Sequence, residues 1–142
     1  MALQMGTAEM ASFLDEVFPQ VRGDFVIDRM DEDMLVMRLK VADRHLRPGG
    51  TVSGPAMFGL ADVAAYVATM ARVGPQALAV TTNCSIDFMR KPQAGCDILA
   101  QAEVLKLGRA LSVTEVRLFS EGTGAPVARA SLTYSIPPDR SV

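Results

Sequence analysis

The chain has 142 residues, of which 49% are apolar and 21% are charged, a composition that fits a globular protein able to bury its own hydrophobic core. Its formal net charge of −2 comes without any basic stripe, which argues against a nucleic-acid-binding surface. One histidine and two cysteines without metal-type spacing leave no ligand set for a zinc or iron site.

Motifs that bind nucleotide phosphates or activate a serine are also absent. The sequence contains neither a P-loop nor a GxGxxG fingerprint, and it has no GxSxG elbow. Cys84 and Cys96 fall in predicted strands, where we expect both thiols to be reduced core residues. No basic, cleavable leader precedes the predicted core, so we expect a cytoplasmic protein.

The first third of the chain predicts a helix followed by a hairpin. Apolar side chains recur at helical spacing in residues 7–19, where Thr7 is expected to cap a short amphipathic helix. Residues 24–30 and 34–41 alternate as strands around a polar turn, and residues 43–52 form a loop rich in Gly and Pro. That loop leads directly into a long apolar segment.

The apolar segment SGPAMFGLADVAAYVATMA predicts a long buried helix. Ser53 can cap its first amides, and Pro55 lies where a missing N–H costs nothing. Gly74 and Pro75 end the segment, so we expect the helix to run from Pro55 to Val73. Because this helix has no polar stripe, other elements must enclose it.

Asp62 is the single ionisable carboxylate of the predicted helix. Burying an unpaired charge is costly, so Asp62 needs either a structural partner or a role in binding or converting a substrate. The charge of Asp62 argues against a transmembrane helix. The length of the segment argues the same way, because it barely reaches the ~20 residues that a membrane span requires.

Four strands are predicted after the helix, in residues 77–89, 96–107, 110–120 and 126–136. Short connections join them, so we expect an antiparallel meander with one face covered by the central helix. This predicts an α+β fold in which a strongly curved antiparallel sheet wraps around one buried helix. The sheet edges and part of the helix would stay uncovered, so we expect the chain to pair with a second copy.

The order of these elements resembles the hotdog fold. Residues 45–62, HLRPGGTVSGPAMFGLAD, are similar to the signature of the phenylacetate-degradation (PaaI-like) acyl-CoA thioesterases, which reads N-P-x-G-x-x-H-G-G followed by a helix carrying L-x-D. The likeness spans about residues 24–137, within a single expected domain of residues 1–142. It continues through residues 88–92, Gly95, residues 105–109 and residues 128–134.

This resemblance implies hydrolysis of an aryl- or medium-chain acyl-CoA thioester to the free acid and coenzyme A. Asp62 matches the family's catalytic carboxylate, which acts as general base or as nucleophile. Gly54 matches the glycine whose amide binds the thioester oxygen. Coenzyme A enters as part of the substrate, and we expect no separate cofactor and no metal.

The spacing of Gly54 and Asp62 adds a constraint. They are eight residues apart, which is ~12 Å along a helix and too far for both to act on one carbonyl group. Each site should therefore combine Gly54 of one subunit with Asp62 of the other. We expect a homodimer, or a dimer of dimers, with neither nucleic acid nor membrane as a partner.

Three residues depart from the signature. Arg47 stands where the family has Asn, Ser53 where it has His, and Pro55 where it has the second Gly. Arg47 contacts the substrate or forms a structural salt bridge, and Ser53 contacts the substrate or only caps the helix. The replacements leave open an altered substrate, a slow enzyme or a binding protein.

Further substrate-binding candidates lie on the predicted strands. Thr82 and Asn83 follow the helix, where family members often place a polar group near the carboxylate. Cations at strand ends suit the phosphates of coenzyme A, unless they are ordinary solvated charges. These cations are Arg90, Lys91, Lys106 and Arg109.

Two other functions remain open from the residues. A non-catalytic acyl-CoA-binding hotdog protein would have this fold without turnover. A hotdog dehydratase or hydratase would need a histidine beside a carboxylate. His45 lies in a loop similar to the dehydratase H-x-x-G motif, but the helix carries no matching Glu. Thiol release from acyl-CoAs separates the thioesterase from the binding protein.

Overall fold

A computed structural model describes residues 2–138 and shows a single antiparallel sheet with a long helix packed against it. The strands occur in the order β1-β2-β4-β5-β6-β3, and α2 packs against β2 to β6. The predicted α+β hotdog fold, a curved sheet around one buried helix, is confirmed. The elements are α1 (Thr7–Val17), β1 (Phe25–Met30), β2 (Leu35–Leu39), α2 (Gly54–Val73), β3 (Val80–Phe88), β4 (Ile98–Leu107), β5 (Leu111–Ser120) and β6 (Ala128–Ser135).

The path of the last four strands differs from the predicted meander. β4, β5 and β6 follow one another through the sheet, but β3 lies beyond β6, with Val80 opposite Ser135 and Phe88 opposite Ala128. Residues 89–97 form a loop long enough to carry the chain from β3 to the far side of β5 and β6. The meander prediction is therefore wrong for β3, which becomes an edge strand of the sheet.

Cys96 lies differently from the prediction because β4 starts later than expected. β3 and β4 begin at Val80 and Ile98, each after a turn. Cys96 therefore lies in the loop before β4, not in a strand. Cys84 does lie in β3 and packs partly buried against the core. Both are free and only half-buried, so the expectation of two core thiols is wrong in that detail.

The first helix is capped one residue earlier than predicted. Gly6 is the N-cap of α1, and its amide donates to Glu9 Oε1 at 3.4 Å. Thr7 is already the first residue of the helix. Met10 and Leu14 are buried, which confirms that α1 lays an apolar stripe on the rest of the molecule.

α2 begins and ends within one residue of the prediction. Ser53 Oγ accepts a hydrogen bond from the Ala56 amide at 3.2 Å, which confirms the predicted N-cap. Gly74 at the other end has a φ of 95°, in the left-handed region that favours glycine. α2 is long and apolar enough to cross a membrane, but 72% of its most apolar window is buried inside the fold, as in the core helix of a globular protein.

Small side chains on both surfaces let α2 lie close to the sheet. Thr69 Oγ1 and Ser112 Oγ are 3.0 Å apart and join α2 to β5 inside the core. Close approach at this interface keeps the interior packed without voids. The small buried residues include Ala61, Ala64, Ala65, Ala68 and Ala71 on α2, with Ala100, Ala102, Ala128 and Ala130 on the strands.

Arg72, in the last turn of α2, is only 6% exposed. Its Nη1 donates to the Ala68 carbonyl oxygen at 3.0 Å, and its Nη2 donates to the Glu32 carbonyl oxygen at 2.9 Å. Burial lowers the pKa of Arg72, while Asp31 and Asp33 act in the opposite direction. Arg72 therefore ties the C-terminal end of α2 to the turn between β1 and β2.

Candidate active site

Asp62 lies half-buried on α2 with two hydroxyl groups directed at the same carboxylate oxygen. Thr81 Oγ1 donates to Asp62 Oδ1 at 2.6 Å, and the Tyr134 hydroxyl donates to it at 2.7 Å. The Tyr134 oxygen also lies 2.9 Å from the Asp62 carbonyl oxygen. Within residues 2–138 no hydrogen bond reaches Oδ2, so one oxygen is held while the other stays available.

The two hydroxyl groups meet because β3 and β6 are paired in a particular register. Thr81 lies opposite Tyr134, and the register shifts between Thr81 and Asn83, which makes Thr82 the extra residue of a β-bulge. Tyr134 belongs to the alternating buried face of β6 that the sequence predicts. A cross-strand pair thus delivers both donors to Asp62.

Tyr134 is suited to remain a hydrogen-bond donor. Burial raises its pKa well above the usual range for tyrosine. The Thr81 hydroxyl opposes this shift, and the negative charge of Asp62 adds to it. The phenol therefore keeps its proton near neutral pH, and its O–H stays directed at the carboxylate.

Cys84 lies close enough to Asp62 to be influenced by its charge. Burial raises the pKa of the Cys84 thiol, and the Asp62 carboxylate raises it further. Since the thiolate is the nucleophilic form of cysteine, this thiol is a poor nucleophile near neutral pH.

The first turn of α2 offers a free amide at Gly54. Ser53 Oγ binds the Ala56 amide, Ser53 O binds the Met57 amide at 3.1 Å, and Pro55 has no N–H. In the part of the chain that the structure describes, the Gly54 amide makes no hydrogen bond. Because it also lies at the positive end of the helix dipole, it can bind an oxygen that gains negative charge.

His45 holds the loop that leads into α2. It is 7% exposed, its carbonyl oxygen accepts from the Ser53 amide at 2.8 Å, and its Nδ1 accepts from the Ala42 amide at 2.9 Å. Its Nε2 lies 3.3 Å from Asp24 Oδ1. Among the described residues Nε2 makes no hydrogen bond, while Nδ1 and the carbonyl oxygen of this buried histidine bind backbone amides, so the contacts of His45 are those of a residue that holds the loop.

A groove of about 390 Å³ opens beside the first turn of α2. It combines positive charge with apolar surface, which suits a ligand that has both phosphates and an apolar arm. Three of the cations predicted from the sequence come together here with the Gly54 backbone. The groove is lined by Arg47, Gly54, Arg90 and Lys91, with Met57, Phe88 and Met89 among its apolar residues.

The remaining predicted residues on β3 do not bind Asp62. The Thr82 hydroxyl donates to the Thr133 carbonyl oxygen at 3.2 Å, and both Thr82 and Asn83 are exposed on the edge strand. Ser53 acts as the N-cap. Thr81, one residue earlier, takes the position beside the carboxylate that the sequence prediction gives to Thr82 and Asn83.

The cations on β4 and on its turn to β5 lie away from the groove. Arg109 lies in the turn between β4 and β5, beside the Ser135 end of β6, whereas Arg90 lies beyond the Ala128 end. The length of β6 therefore separates them. Lys106 is exposed on β4. Within one protomer, neither Lys106 nor Arg109 shares the groove with Arg90.

Two residues beside Asp62 were missed by the sequence prediction. Tyr134 could have been found, because a tyrosine on the buried face of a strand needs a partner for its hydroxyl group. Thr81 could not, because the bulge that sets its direction leaves no signature in the residues. For metals, the described residues contain no group of three or more His, Cys, Asp or Glu side chains that could hold an ion.

Comparison with known families agrees with this geometry. A family model described as the thioesterase superfamily matches residues 49–127, which is more than half of the 142 residues. The chain belongs to the thioesterase superfamily. Human acyl-coenzyme A thioesterase 13 is a relative of this thioesterase-superfamily chain, 29% identical over 118 residues that make up 82% of each protein.

Solved structures extend the comparison. A candidate thioesterase from Silicibacter sp. TM1040 is 57% identical, with a TM-score of 0.92 over 97% of this chain and 96% of that one. The phenylacetic acid degradation protein PaaI of Thermus thermophilus is 28% identical, with a TM-score of 0.72 over 84% of this chain and 99% of that one. These similarities agree with the membership of the chain in the thioesterase superfamily.

Proposed function

We propose that the chain hydrolyses the thioester of an acyl-CoA with an aryl or medium-chain acyl group. The observation that carries the proposal is the Asp62 carboxylate, whose Oδ1 is held by Thr81 and Tyr134 while Oδ2 is left available. A fixed carboxylate with one open oxygen is suited to general-base or nucleophilic catalysis. The name of the human relative, an acyl-coenzyme A thioesterase, supports the same substrate class.

The available oxygen, Asp62 Oδ2, can act either as a general base or as a nucleophile. As a base, Asp62 Oδ2 takes a proton from water, the water oxygen bonds to the thioester carbonyl carbon, and the carbon–sulfur bond breaks. As a nucleophile, Oδ2 attacks the carbonyl carbon itself, and water then hydrolyses the resulting anhydride. In both cases the sulfur leaves as the thiolate of coenzyme A and takes up a proton. No further cofactor is needed.

The Gly54 amide stabilises the carbonyl oxygen as it gains charge, and it comes from the second subunit. Gly54 begins α2 and Asp62 lies within the same helix, ~12 Å away along its axis. The exposed edge of β3 supports the pairing, because an unpaired strand edge is a template for a second copy. Leu78 and Val80, at its start, are 75% and 57% exposed. Each site then joins Asp62 of one protomer to the groove of its partner.

The test is thiol release from a panel of acyl-CoAs, with the wild-type chain beside Asp62→Asn. The substitution keeps the shape of the side chain and removes the reacting oxygen. We expect kcat to fall by ~100-fold or more, the scale of a lost general base. Asp87→Asn is the matched control, since Asp87 is an exposed aspartate on β3 that forms a salt bridge with Arg129.

Each outcome decides between the candidate functions. Turnover that Asp62→Asn abolishes and Asp87→Asn leaves within about twofold supports the thioesterase. Turnover that survives in Asp62→Asn rejects Asp62 as the reacting group. If no substrate releases thiol while coenzyme A still binds, the chain is an acyl-CoA-binding protein, and Arg47, Ser53 and Pro55 become the residues that explain the lost activity.

A further inference from the structure

A second cavity lies on the far side of Asp62 from the first turn of α2. Its volume is about 280 Å³, and its lining includes Thr81 and Tyr134, the two residues that bind Asp62 Oδ1. The Asp62 carboxylate is therefore hydrogen-bonded to two residues of the cavity wall. The remaining lining residues are Val17, Phe18, Tyr66, Ala77, Ala79 and Val80.

The walls of this cavity are apolar and rich in aromatic rings. The Phe18 and Tyr66 rings meet edge to face with centroids 6.3 Å apart, and the Tyr66 and Tyr134 rings have centroids 5.9 Å apart. The Tyr66 hydroxyl donates to the Ala77 carbonyl oxygen at 2.7 Å, and the Tyr134 hydroxyl is bound to Asp62. Both phenol hydroxyl groups thus have hydrogen-bond partners, and the ring carbons leave an apolar surface that suits a hydrocarbon group.

The size of the cavity limits what it can hold. If each non-hydrogen atom of a ligand takes about 30 Å³, the share of one water molecule in the liquid, then 280 Å³ accommodates about nine such atoms. This is below the usual ~300–1,000 Å³ of a pocket for a whole small molecule. The cavity therefore suits one end of a ligand whose remainder lies elsewhere.

From these observations we infer that the cavity lined by Phe18, Tyr66 and Tyr134 receives the acyl group of the thioester and selects compact acyl groups of about nine non-hydrogen atoms or fewer. This rests on the proposed function, because it takes the thioester carbonyl to lie at Asp62. The acyl group then points into the aromatic cavity, and the coenzyme A part runs toward the cationic groove of the partner. Long acyl chains are excluded by volume, not by charge.

Phe18 offers a matched pair of variants that change the cavity in opposite directions. Phe18→Ala enlarges it, and Phe18→Trp narrows it, while both leave Asp62 and its two hydroxyl donors in place. The measurement is kcat/KM for linear acyl-CoAs of four to sixteen carbons and for ring-bearing acyl-CoAs of equal atom count. Thermal melting checks that each variant is folded.

In the wild-type chain we expect kcat/KM to fall by about tenfold or more between eight and twelve carbons, since each excess methylene meets a filled pocket. Phe18→Ala should move this fall to longer chains, and Phe18→Trp should move it to shorter ones. Two results overturn the inference, namely a wild-type preference for the longest chains, or a fall that stays at the same length in both variants. A merely structural Phe18 would change all substrates by one common factor.

Fluorescence tests the cavity without turnover. The chain contains two tyrosines and no tryptophan, so Phe18→Trp introduces a single indole in the cavity wall. We expect its emission to change on titration with a butanoyl-CoA analogue in which a methylene group replaces the sulfur, because this short acyl group still fits the narrowed cavity, and to change far less with coenzyme A alone. An equal response to coenzyme A alone overturns the acyl pocket. Absence of thiol release with the expected fluorescence response overturns the hydrolysis and leaves the acyl pocket standing.

Discussion

The first turn of α2 and the surroundings of Asp62 are built by different means. The first turn is made from neighbours in sequence, because Ser53 binds the amides of Ala56 and Met57 and leaves that of Gly54 free. The Asp62 carboxylate is held by residues 19 and 72 positions away along the chain. The backbone donor is therefore a local feature, and the fixed carboxylate exists only once the sheet has formed.

The two regions also differ in charge. The groove beside Gly54 carries Arg47, Arg90 and Lys91, whereas the cavity beside Asp62 is lined by rings and small apolar side chains. A thioester of coenzyme A has the same division, with phosphates at one end and the acyl group at the other. The contrast teaches that one protomer presents two regions of opposite character at two points of a single helix.

The strongest test of this division mixes two inactive variants. Asp62→Asn removes the carboxylate, and Gly54→Pro removes the amide donor at a position where proline is tolerated. If each site joins half-sites of two protomers, random pairing makes half of all dimers mixed, and one of their two sites is intact. We expect activity to rise from near zero to about a quarter of the wild-type value, measured as thiol release after joint refolding.

Recovery below a few per cent would show that each site lies within one protomer. Gly54→Val is the second variant for this experiment, because a side chain at this position would lie 3.5 Å from the Phe88 ring and fill the groove. It keeps the test valid if Gly54→Pro does not fold. Thermal melting of each variant alone establishes which one is used.

The second test concerns the long-range region. Tyr134→Phe and Thr81→Val each remove one hydroxyl donor from Asp62 Oδ1. We expect kcat to fall by about tenfold for each, because a misplaced reacting group slows the chemical step, while KM changes little. Steady-state kinetics on one good substrate measures both values.

Thr82→Val is the matched comparison for Thr81→Val, since the two threonines are adjacent and only Thr81 binds Asp62. We expect the smaller effect from Thr82→Val. Equal losses of kcat in the two variants, or a rise in KM that accounts for the whole loss, would contradict a positioning role for Thr81.

The third test concerns the cationic groove. We expect the double variant Arg90→Ala, Lys91→Ala to raise KM for acyl-CoA by about three- to tenfold with little change in kcat, since exposed charges contribute modestly and are screened by salt. Arg117→Ala is the control, because it removes a positive charge from β5, outside the groove, where Arg117 binds Glu115. An increase in KM that persists unchanged at high salt would reject a phosphate-binding role.

The smallest effect is expected from Asp97, which anchors the start of the loop before α2. Burial acts to raise the pKa of Asp97, but the Val41 amide at 3.0 Å and the Arg38 guanidinium outweigh it, so the net shift is downward. A lowered pKa contributes stability that is present above the unfolded value of about 3.9 and is lost as pH falls through the folded value. Asp97→Asn should therefore lower the urea midpoint at neutral pH.

In acid, as the pH falls through the lowered pKa of Asp97 in the folded chain, the difference between Asp97→Asn and the wild-type chain should shrink. Urea unfolding at the two pH values measures it. A difference that is as large in acid as at neutral pH would contradict the ionic origin of the effect. Unlike the tests above, this one should leave the kinetics of the folded enzyme nearly unchanged.

What could be predicted from the sequence follows the same local and long-range division. Ser53, Pro55 and Gly74 mark the ends of α2 by their own conformational preferences, and both ends were correct within one residue. Asp62 stood out as a lone carboxylate in an apolar helix. These features depend on neighbours along the chain, which a single sequence displays directly.

Most of the missed features depend on contacts between distant segments. The pairing of β3 with β6 is decided by which edge is free after β4, β5 and β6 have assembled, and no residue pattern encodes that choice. The bulge at Thr82 reverses which of two adjacent threonines faces Asp62. Cys96 was assigned to a strand because an apolar pattern extends through the turn before β4.

Arg72 affects the geometry of both regions, the first turn of α2 and the surroundings of Asp62. Its bond to the Glu32 carbonyl oxygen fixes the position of α2 along its own axis, because the helix cannot slide without breaking a contact to a separate segment. If α2 shifts along its axis as a rigid body, every residue in it moves by the same distance. Asp62, ~15 Å from Arg72, and Gly54, ~27 Å from it, then move as far as Arg72 does. The positions of Asp62 and Gly54 along the helix axis are therefore set by a contact near the C-terminal end of α2, at a residue that lines neither the groove nor the cavity.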